Sequence, residues 1–293
     1  MRDCYTYNMS DILPIIVVYD MLFWQSITYK SLVKSVGSNN IDIFIYDNTP
    51  YNNKLKNDNA FLHEIPRNIN LKYVHDPSNS GVSKAYNVGA SYAIKRSKKF
   101  LLLLDQDTQL PKDFMEKIVN KINLYKKGVF FFPLVYQKDQ NILISPCRLF
   151  LFRGRTLKRT AIGNMKSLRN ISFINTGLCI RLDFFCKIGG FNEKIKLDFS
   201  DHEFIFRLAK YVETAYLIDS EIFHSLSCME PCSIKTKFLR FKYYIDGGRI
   251  YSKSVGNSLL FEIFLLARGL YFVYKYKKVS FLTIIFKSYL TSL

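Results

Sequence analysis

The sequence predicts an α/β fold: a doubly wound, mostly parallel central sheet flanked by helices, with a helical appendage at the C-terminal end. Three observations predict it. Apolar runs alternate with helix-like segments through about residue 135, the rhythm of βαβ units. One run, Phe100-Leu101-Leu102-Leu103-Leu104, ends directly on Asp105-Gln106-Asp107. From Lys235 onward the chain is helical in spacing, aromatic and basic.

The elements follow in order. Residues 14–19 form a first strand apolar enough to be buried on both faces. Residues 22–36 read as a helix closed by Gly37. Residues 41–46 are a second strand ending at Asp47-Asn48, and 48–60, rich in Asn and Lys, are a loop. Residues 71–74 make a shorter third strand. Asn79-Ser80-Gly81 opens a helix that runs to about Ser97. The strand 100–104 precedes a helix over 111–126, with Pro111 in its first turn. Residues 128–135 are another strand. Beyond it, 140–180 read as short strands around a basic loop, and 171–180 as a strand containing Asn175-Thr176-Gly177. Residues 199–210 read as a helix and 214–218 as a short strand.

Composition narrows the function. The 293 residues are 48% hydrophobic, enough for one large domain with an appendage. A net charge of +18 points to an anionic partner: nucleic acid, a phospholipid surface or a phosphorylated substrate. Residues 231–293 hold eleven Lys and Arg against Asp246 and Glu262, and residues 148–169 hold seven with no acid. The six cysteines include no C-x-x-C pair. They read as free thiols in a reducing compartment, with Cys179 and Cys186 in apolar surroundings. The first residues lack an apolar signal core, so no secretion is expected. No apolar run reaches the roughly 20 residues of a spanning helix. Residues 259–274 come closest, interrupted by Glu262 and Arg268.

The polar strand ends carry the chemistry. Spacing of two in extended chain puts Asp105 and Asp107 on one side, at the end where open α/β sheets bind ligands. Two adjacent carboxylates repel unless a cation sits between them, and a hard divalent ion there grips a diphosphate. The plainer reading is an acidic turn before the next helix. Tyr19-Asp20, Asp47-Asn48 and Asn79-Ser80-Gly81 reach the same sheet edge, the last at a helix N-terminus that suits phosphate. Each has a plain alternative: Tyr19 as a cap on the core, Asp47-Asn48-Thr49-Pro50 as a turn, Asn79 as a helix cap. Together they read as a nucleotide site. Asp198, Asp201 and Glu203 stand among aromatics, where desolvation raises carboxylate pKa values and suits a general base. Asp201 is the functional candidate; the other two stay open. His224 follows the predicted strand 214–218 and is read either as structural or as contacting a metal or phosphate. His63, His75 and His202 have no comparable context.

With these residues assembled, the chain resembles the family 2 glycosyltransferases of the GT-A fold, and within them the bacterial rhamnosyltransferase-like enzymes. The resemblance covers roughly 12–250. It rests on Ile15-Ile16-Val17-Val18-Tyr19-Asp20, Tyr46-Asp47-Asn48, Asn79-Ser80-Gly81 with Asn87-Val88-Gly89, Leu103-Leu104-Asp105-Gln106-Asp107, Asn175-Thr176-Gly177 through Gly189-Gly190-Phe191-Asn192-Glu193, and Asp201-His202-Glu203 through Arg207. His224-Ser225-Leu226 and Tyr243-Tyr244 fit its tail. Asp20 stands where Asn is more usual, Ser200 where an acid often precedes the base, and Ser227 where glycine is common.

The resemblance implies a Rossmann-like domain over 1–230, with a nucleotide-binding half at about 12–135 and an acceptor half at about 136–230. It implies an inverting hexosyltransferase of bacterial surface polysaccharide synthesis that uses Mg²⁺ or Mn²⁺. Tyr19, Asp20 and Asp47 would hold the nucleotide, and Asn79, Gly81, Asn87, Asp105 and Gln106 would complete the donor site. Asp105, Asp107 and His224 would hold the metal, and Asp201 would be the base. The donor implied is dTDP-rhamnose or a UDP-hexose, and the acceptor a glycan, free or linked to polyprenyl diphosphate.

The C-terminal region, 231–293, mixes apolar and basic positions at helical spacing: Phe261, Phe264, Leu265, Arg268, Phe272 and Lys275, then 281–286. It is expected to lie on an anionic bilayer, placing the protein on the cytoplasmic face of the membrane; the alternative is helices packed on the core. Two other classes compete. A nucleic-acid-binding protein would explain the charge, but the basic residues follow no recognised binding motif, so no nucleic-acid partner is expected. An inactive membrane-attached scaffold is opposed by the intact Asp105, Asp107 and Asp201.

Overall fold

The structure, a computed structural model, describes residues 5–50, 65–138, 140–150, 152–159, 162–225 and 233–290. Expectations that fall on the 51–60 loop, His63, Leu226, Ser227, Cys4, Cys228 and Cys232 lie outside the described residues.

Its strands and helices, in chain order, are β1 (Ile12–Val18), α1 (Ile27–Val36), β2 (Ile41–Asp47), β3 (Ile69–His75), α2 (Val82–Lys95), β4 (Phe100–Asp105), β5 (Thr108–Gln109), α3 (Phe114–Leu124), β6 (Phe130–Gln137), β7 (Ile142–Ser145), β8 (Cys147–Phe150), β9 (Arg153–Thr156), β10 (Ile171–Ser172), β11 (Cys179–Arg181), α4 (Leu182–Lys187), α5 (Ser200–Leu208), β12 (Tyr216–His224), α6 (Ile234–Ser254), α7 (Ser258–Tyr276) and α8 (Ser280–Leu290). The main sheet has the order β3-β2-β1-β4-β11-β6-β12-β5, with β7 beside β6; β10-β8-β9 make a second, small sheet. The β3-β2-β1-β4 half is parallel, and β11 runs antiparallel to both its neighbours.

Why Phe100 to Leu104 is apolar throughout is plain from its two faces. Leu101 and Leu103 pack into the core on the α2 side, while Phe100, Leu102 and Leu104 pack into the core on the α1 and α3 side. A strand covered on both faces loses the usual alternation. Register then sets the site: Val17 pairs with Asp105 and Val18 with Asp47, so both acids emerge beside the end of β1.

Several expected elements differ. Residues 22–36 divide into a 3₁₀ turn, Phe23–Gln25, and α1, because the Ser26 side chain caps the helix by accepting from the Tyr29 amide. α3 begins three residues past Pro111. The strand expected over 171–180 is broken: β10 joins the small sheet, β11 the main one. Between them Thr176 turns its hydroxyl to the Asp105 amide at 3.1 Å. β12 runs on to His224, which therefore ends a strand instead of following one. Cys186 is exposed, unlike buried Cys179.

The C-terminal helices form their own core. Phe241, Ile245, Phe261, Leu265, Phe281 and Ile285 are buried together, continuous with Phe199. Arg249 ties all three helices, donating to both Glu262 carboxylate oxygens at 2.7 and 3.0 Å and to Ser288 Oγ at 2.7 Å. Phe261, Leu265, Phe281 and Ile285, expected to face lipid, are thus the interior of the bundle. A different set is exposed on α7: Leu259, Ile263, Leu266, Leu270 and Tyr274. No helix among the described residues is long and apolar enough to cross a membrane. α6 can approach the 196–199 loop only because it carries Gly247, where a Cβ would stand 2.2 Å from the Asp198 carbonyl oxygen.

Candidate active site

Asp105 sits at the end of β4, where burial is the largest influence on its carboxyl. Burial and the charges of Asp107 and Asp201 outweigh the lowering effect of His224 and of the Tyr86 hydrogen bond, so its pKa is raised. Tyr86, fully buried on α2, donates to Asp105 Oδ1 at 3.0 Å. Asp107 Oδ1 lies 3.1 Å from His224 Nδ1. His224 arrives there because β12 pairs with β5, with His224 opposite Thr108. Burial would lower the His224 pKa, but the hydrogen bond to Asp107 and the charges of Asp105 and Asp107 raise it overall. Thr108 and Thr176 share a 2.6 Å hydrogen bond beneath the pair.

The nucleotide end is built around β1 and β2. Tyr19 is half exposed, and its amide donates to Gln106 Oε1 at 2.6 Å, stitching the ends of β1 and β4. Asp20, with φ 55°, donates its amide to Thr49 Oγ1 at 2.8 Å. Asp47 is buried; it accepts from the Thr49 amide at 2.9 Å and the Tyr73 hydroxyl at 2.6 Å. Burial, then Asp47, holds the Tyr73 phenol far above its ordinary range, so it stays a donor. Asn79 does not cap the helix: Gly81 does, at φ 98°. Asn79 belongs instead to a turn organised by Asp76, which accepts from Ser78, Ser80 and Tyr46 and whose pKa lies well below the carboxylate range despite partial burial. The first amide of α2, Val82, is already taken by the Lys196 carbonyl at 2.9 Å. Asn87 holds the 191–193 turn: its amide donates to the Phe191 carbonyl and Glu193, both at 2.9 Å, and accepts from the Phe191 amide at 2.8 Å.

That use of Asn87 locates the acidic loop. Arg207 pairs with both oxygens of buried Glu203 and donates to the Ile188 and Gly190 carbonyls at 2.6 and 2.7 Å. Glu203 is therefore an anchor for the 188–190 turn. Ser83 Oγ donates to the Ile195 carbonyl at 2.5 Å. The chain then reaches Phe199, held at φ 71° against Tyr244, Tyr251 and Phe261, and turns into α5 with Asp201 in its first turn. A left-handed aromatic residue is costly and survives only where packing enforces it. Asp201 accepts from the His202 amide at 2.7 Å, with His202 Nδ1 3.5 Å away. Its charge acts on Asp105 and Tyr86, across the cleft from α5. Asp198 is half-buried, 3.8 Å from Arg240, and its partial burial raises its pKa.

Sequence reasoning missed Tyr86, Thr108, Thr176, Asp76 and His202. Tyr86 reads as a core aromatic on a helical face, and nothing in one sequence says its hydroxyl meets a carboxylate. Asp76 was findable from the turn sequence Asp76-Pro77-Ser78.

Among the described residues no three His, Cys, Asp or Glu side chains form a ready metal cluster. The Asp105 and Asp107 carboxylates are nonetheless the ligand type that a hard divalent ion accepts, with His224 beside Asp107. Mg²⁺ and Mn²⁺ accept carboxylate oxygens, and Mg²⁺ commonly takes only one or two from protein, with substrate phosphates and water supplying the rest.

The sheet order and the helices on its two faces are those of the GT-A fold. Residues 16–186 match the family described as "Glycosyl transferase family 2", and the chain belongs to that family. It is 21% identical over 152 residues to dTDP-rhamnosyl transferase RfbF of Shigella flexneri, a match covering 50% of each; the chain spans about half the length of that curated relative. The fold is similar to S. aureus TarS 1–349 in complex with UDP, at TM-score 0.57 and 15% identity, over 89% of this chain and 71% of that one. It is also similar to GalNAc-T7 with UDP, GalNAc and Mn²⁺, at TM-score 0.58 and 14% identity, over 82% and 48% respectively.

Proposed function

We propose that this chain is an inverting transferase that moves a sugar from a nucleoside-diphosphate donor to an acceptor hydroxyl. One observation carries the reading. At the end of β4, Asp105 accepts from Tyr86 of α2 at 3.0 Å and Asp107 lies 3.1 Å from His224 of β12, while the charge of Asp201 on α5 acts on Asp105 and Tyr86. Asp47, Tyr19, Asp20 and Gln106 frame the nucleotide, and the Asp76 turn with Asn79 and Gly81 borders the diphosphate.

Asp201 accepts the proton of the acceptor hydroxyl. The freed oxygen forms a bond to the anomeric carbon from the face opposite the leaving group, and the old carbon–oxygen bond breaks with its electron pair going to the diphosphate. Asp105 and Asp107, with His224 beside them, would hold Mg²⁺ or Mn²⁺, which when bound offsets charge on the leaving diphosphate. The named relative supports dTDP-rhamnose as first donor candidate, with UDP-hexoses next; the Mn²⁺ complex of GalNAc-T7 supports the metal. The exposed α7 stripe, ending at Lys275, Lys277 and Lys278, supports work at the anionic cytoplasmic surface of a membrane, with 231–293 as the attachment region.

Asp201→Asn decides the base. It is expected to lower transfer about a thousandfold while donor affinity is kept. Unchanged turnover in that variant overturns the assignment.

A further inference from the structure

One face of α1 is lined with hydroxyls. Thr28, Ser31 and Ser35 share it by their spacing, and all three are buried, although such residues usually face water. Three main-chain amides of the segment after β4 end on them. The Thr108 amide donates to Thr28 Oγ1 at 2.8 Å, the Leu110 amide to Ser31 Oγ at 3.1 Å and the Met115 amide to Ser35 Oγ at 2.9 Å. β5 is only Thr108–Gln109, so this buried segment has little strand pairing of its own to satisfy its amides.

Thr28 also donates. Its hydroxyl gives its hydrogen to the Asp105 carbonyl at 2.5 Å, so one side chain ties the residue before Gln106 to the residue after Asp107. Asn175-Thr176-Gly177 supplies the opposite side. Thr176 Oγ1 accepts from the Asp105 amide at 3.1 Å and shares a 2.6 Å bond with Thr108 Oγ1, which lies 3.3 Å from His224 Nδ1. The Gly177 amide on the Leu103 carbonyl, at 2.7 Å, keeps this segment against β4. Thr28, Thr108 and Thr176 are fully buried. The Asp105 amide and carbonyl and the Thr108 amide are therefore all held by threonine hydroxyls. Asp107 stands between the two pinned residues, its carboxylate 3.1 Å from His224 Nδ1.

We propose that Thr28 and Thr176 are positioning residues for the transfer reaction: acting through the main chain, they fix where the Asp105 and Asp107 carboxylates stand relative to each other, and so how well the pair holds a divalent cation. This rests on the reading of Asp105 and Asp107 as the metal pair. Ser35 provides the comparison. Its bond to the Met115 amide is of the same kind and equally buried, but it lies in α3, past the turn. A hydroxyl that only stabilises the fold behaves like Ser35; one that positions the carboxylates does not.

The test titrates the full chain with Mn²⁺ alone, following the free ion by its electron paramagnetic resonance signal. Thr28→Val and Thr176→Val keep the side-chain shape and lose the hydroxyl. Each should weaken Mn²⁺ binding about tenfold or more, and Thr28→Ser and Thr176→Ser should restore it. Ser35→Ala should lower the melting temperature and leave Mn²⁺ affinity at the wild-type value. Proton NMR of the metal-free protein reads the same turn without a cation. The His224 Nδ1 proton, bonded to Asp107, should shift or vanish in both valine variants and stay unchanged in the serine variants and in Ser35→Ala. Valine variants that keep Mn²⁺ affinity and this resonance overturn the proposal, as does Ser35→Ala losing both to the same extent. Wild type that binds no Mn²⁺ removes the metal reading; the His224 resonance then still supports or overturns the positioning role.

Discussion

Tyr86 gives its hydroxyl hydrogen to Asp105 Oδ1 at 3.0 Å, from the same helix whose Asn87 grips Phe191 by both amide atoms. α2 thereby fixes the Asp105 carboxylate and the approach to the acidic loop at once. Its first turn adds Val82 and Ser83 on the carbonyls of Lys196 and Ile195. One helix thus sets the separation between Asp105 and the loop that leads to Asp201.

Tyr86→Phe should show what that link is worth. The substitution keeps the ring in its buried slot but leaves Asp105 without its donor. The carboxyl pKa, already raised by burial, should rise further. Stability should fall by about 1–2 kcal/mol and kcat/KM by roughly tenfold, through poorer metal and donor binding. Chemical denaturation and donor titration at fixed Mn²⁺ check both; wild-type kcat/KM would leave the hydroxyl without a role.

Gly81 is the second link. At φ 98° a Cβ would stand 2.2 Å from the Lys196 carbonyl oxygen, so the loop must shift. Gly37 also has positive φ, 60°, but a Cβ there meets nothing within 4 Å. Gly37→Ala should therefore cost only the backbone strain of φ 60° and ψ −128°, outside the left-handed helical well, about 1–3 kcal/mol. Gly81→Ala should add the clash to such strain and cost more, with loss of transfer. Equal melting temperatures for the two variants would contradict this.

His224 gives a pH signature in metal-free protein. Its folded pKa is raised above the ordinary 6.5 by Asp107 and Asp105 in spite of burial. The stabilisation is therefore complete below about pH 6.5, the unfolded value, and fades as pH rises through the folded one. The stability gap between wild type and Asp107→Asn should be widest at mildly acidic pH and shrink toward alkaline pH. Proton NMR titration of the ring should show the raised value, and its fall in Asp107→Asn.

The donor-side architecture was legible because strands covered on both faces announce themselves. The Phe100-to-Leu104 run and its two aspartates needed no tertiary information. What stayed hidden depends on approach between distant segments. The Asn87 amide is an ordinary polar helix position until Phe191 arrives, and Glu203 is an ordinary acid until Arg207 and the Gly190 carbonyl close round it. The C-terminal helices failed differently. Phe261 and Leu265 lie on one helical face and Leu259, Ile263 and Leu270 on another. Periodicity shows that both faces are apolar, not which meets α6; Gly248, where a Cβ would stand 2.1 Å from the Phe261 ring, marks that face.

The outward face of α7 leads to the last prediction. Leu259, Ile263, Leu266, Leu270, Tyr271 and Tyr274 are exposed with no acid among them, and Lys275, Lys277 and Lys278 follow at the helix end. Such a face is unfavourable in water and suits a bilayer whose headgroups are anionic. Full-length protein should sediment with phosphatidylglycerol vesicles and poorly with phosphatidylcholine ones. Ile263→Glu with Leu270→Glu should weaken that binding by about tenfold or more, because each buried aliphatic chain contributes on the order of 1 kcal/mol. Neither side chain belongs to the bundle interior, so the melting temperature should stay near wild type. Lys277→Gln with Lys278→Gln should act through charge alone: each lysine is worth about 1 kcal/mol near such a surface, and the loss should disappear at high salt. The two pairs of variants must therefore separate by salt dependence. Equal binding of wild type to neutral and anionic vesicles, or an unchanged Ile263→Glu, Leu270→Glu variant, would assign this face to another occupant, such as a second copy of the chain.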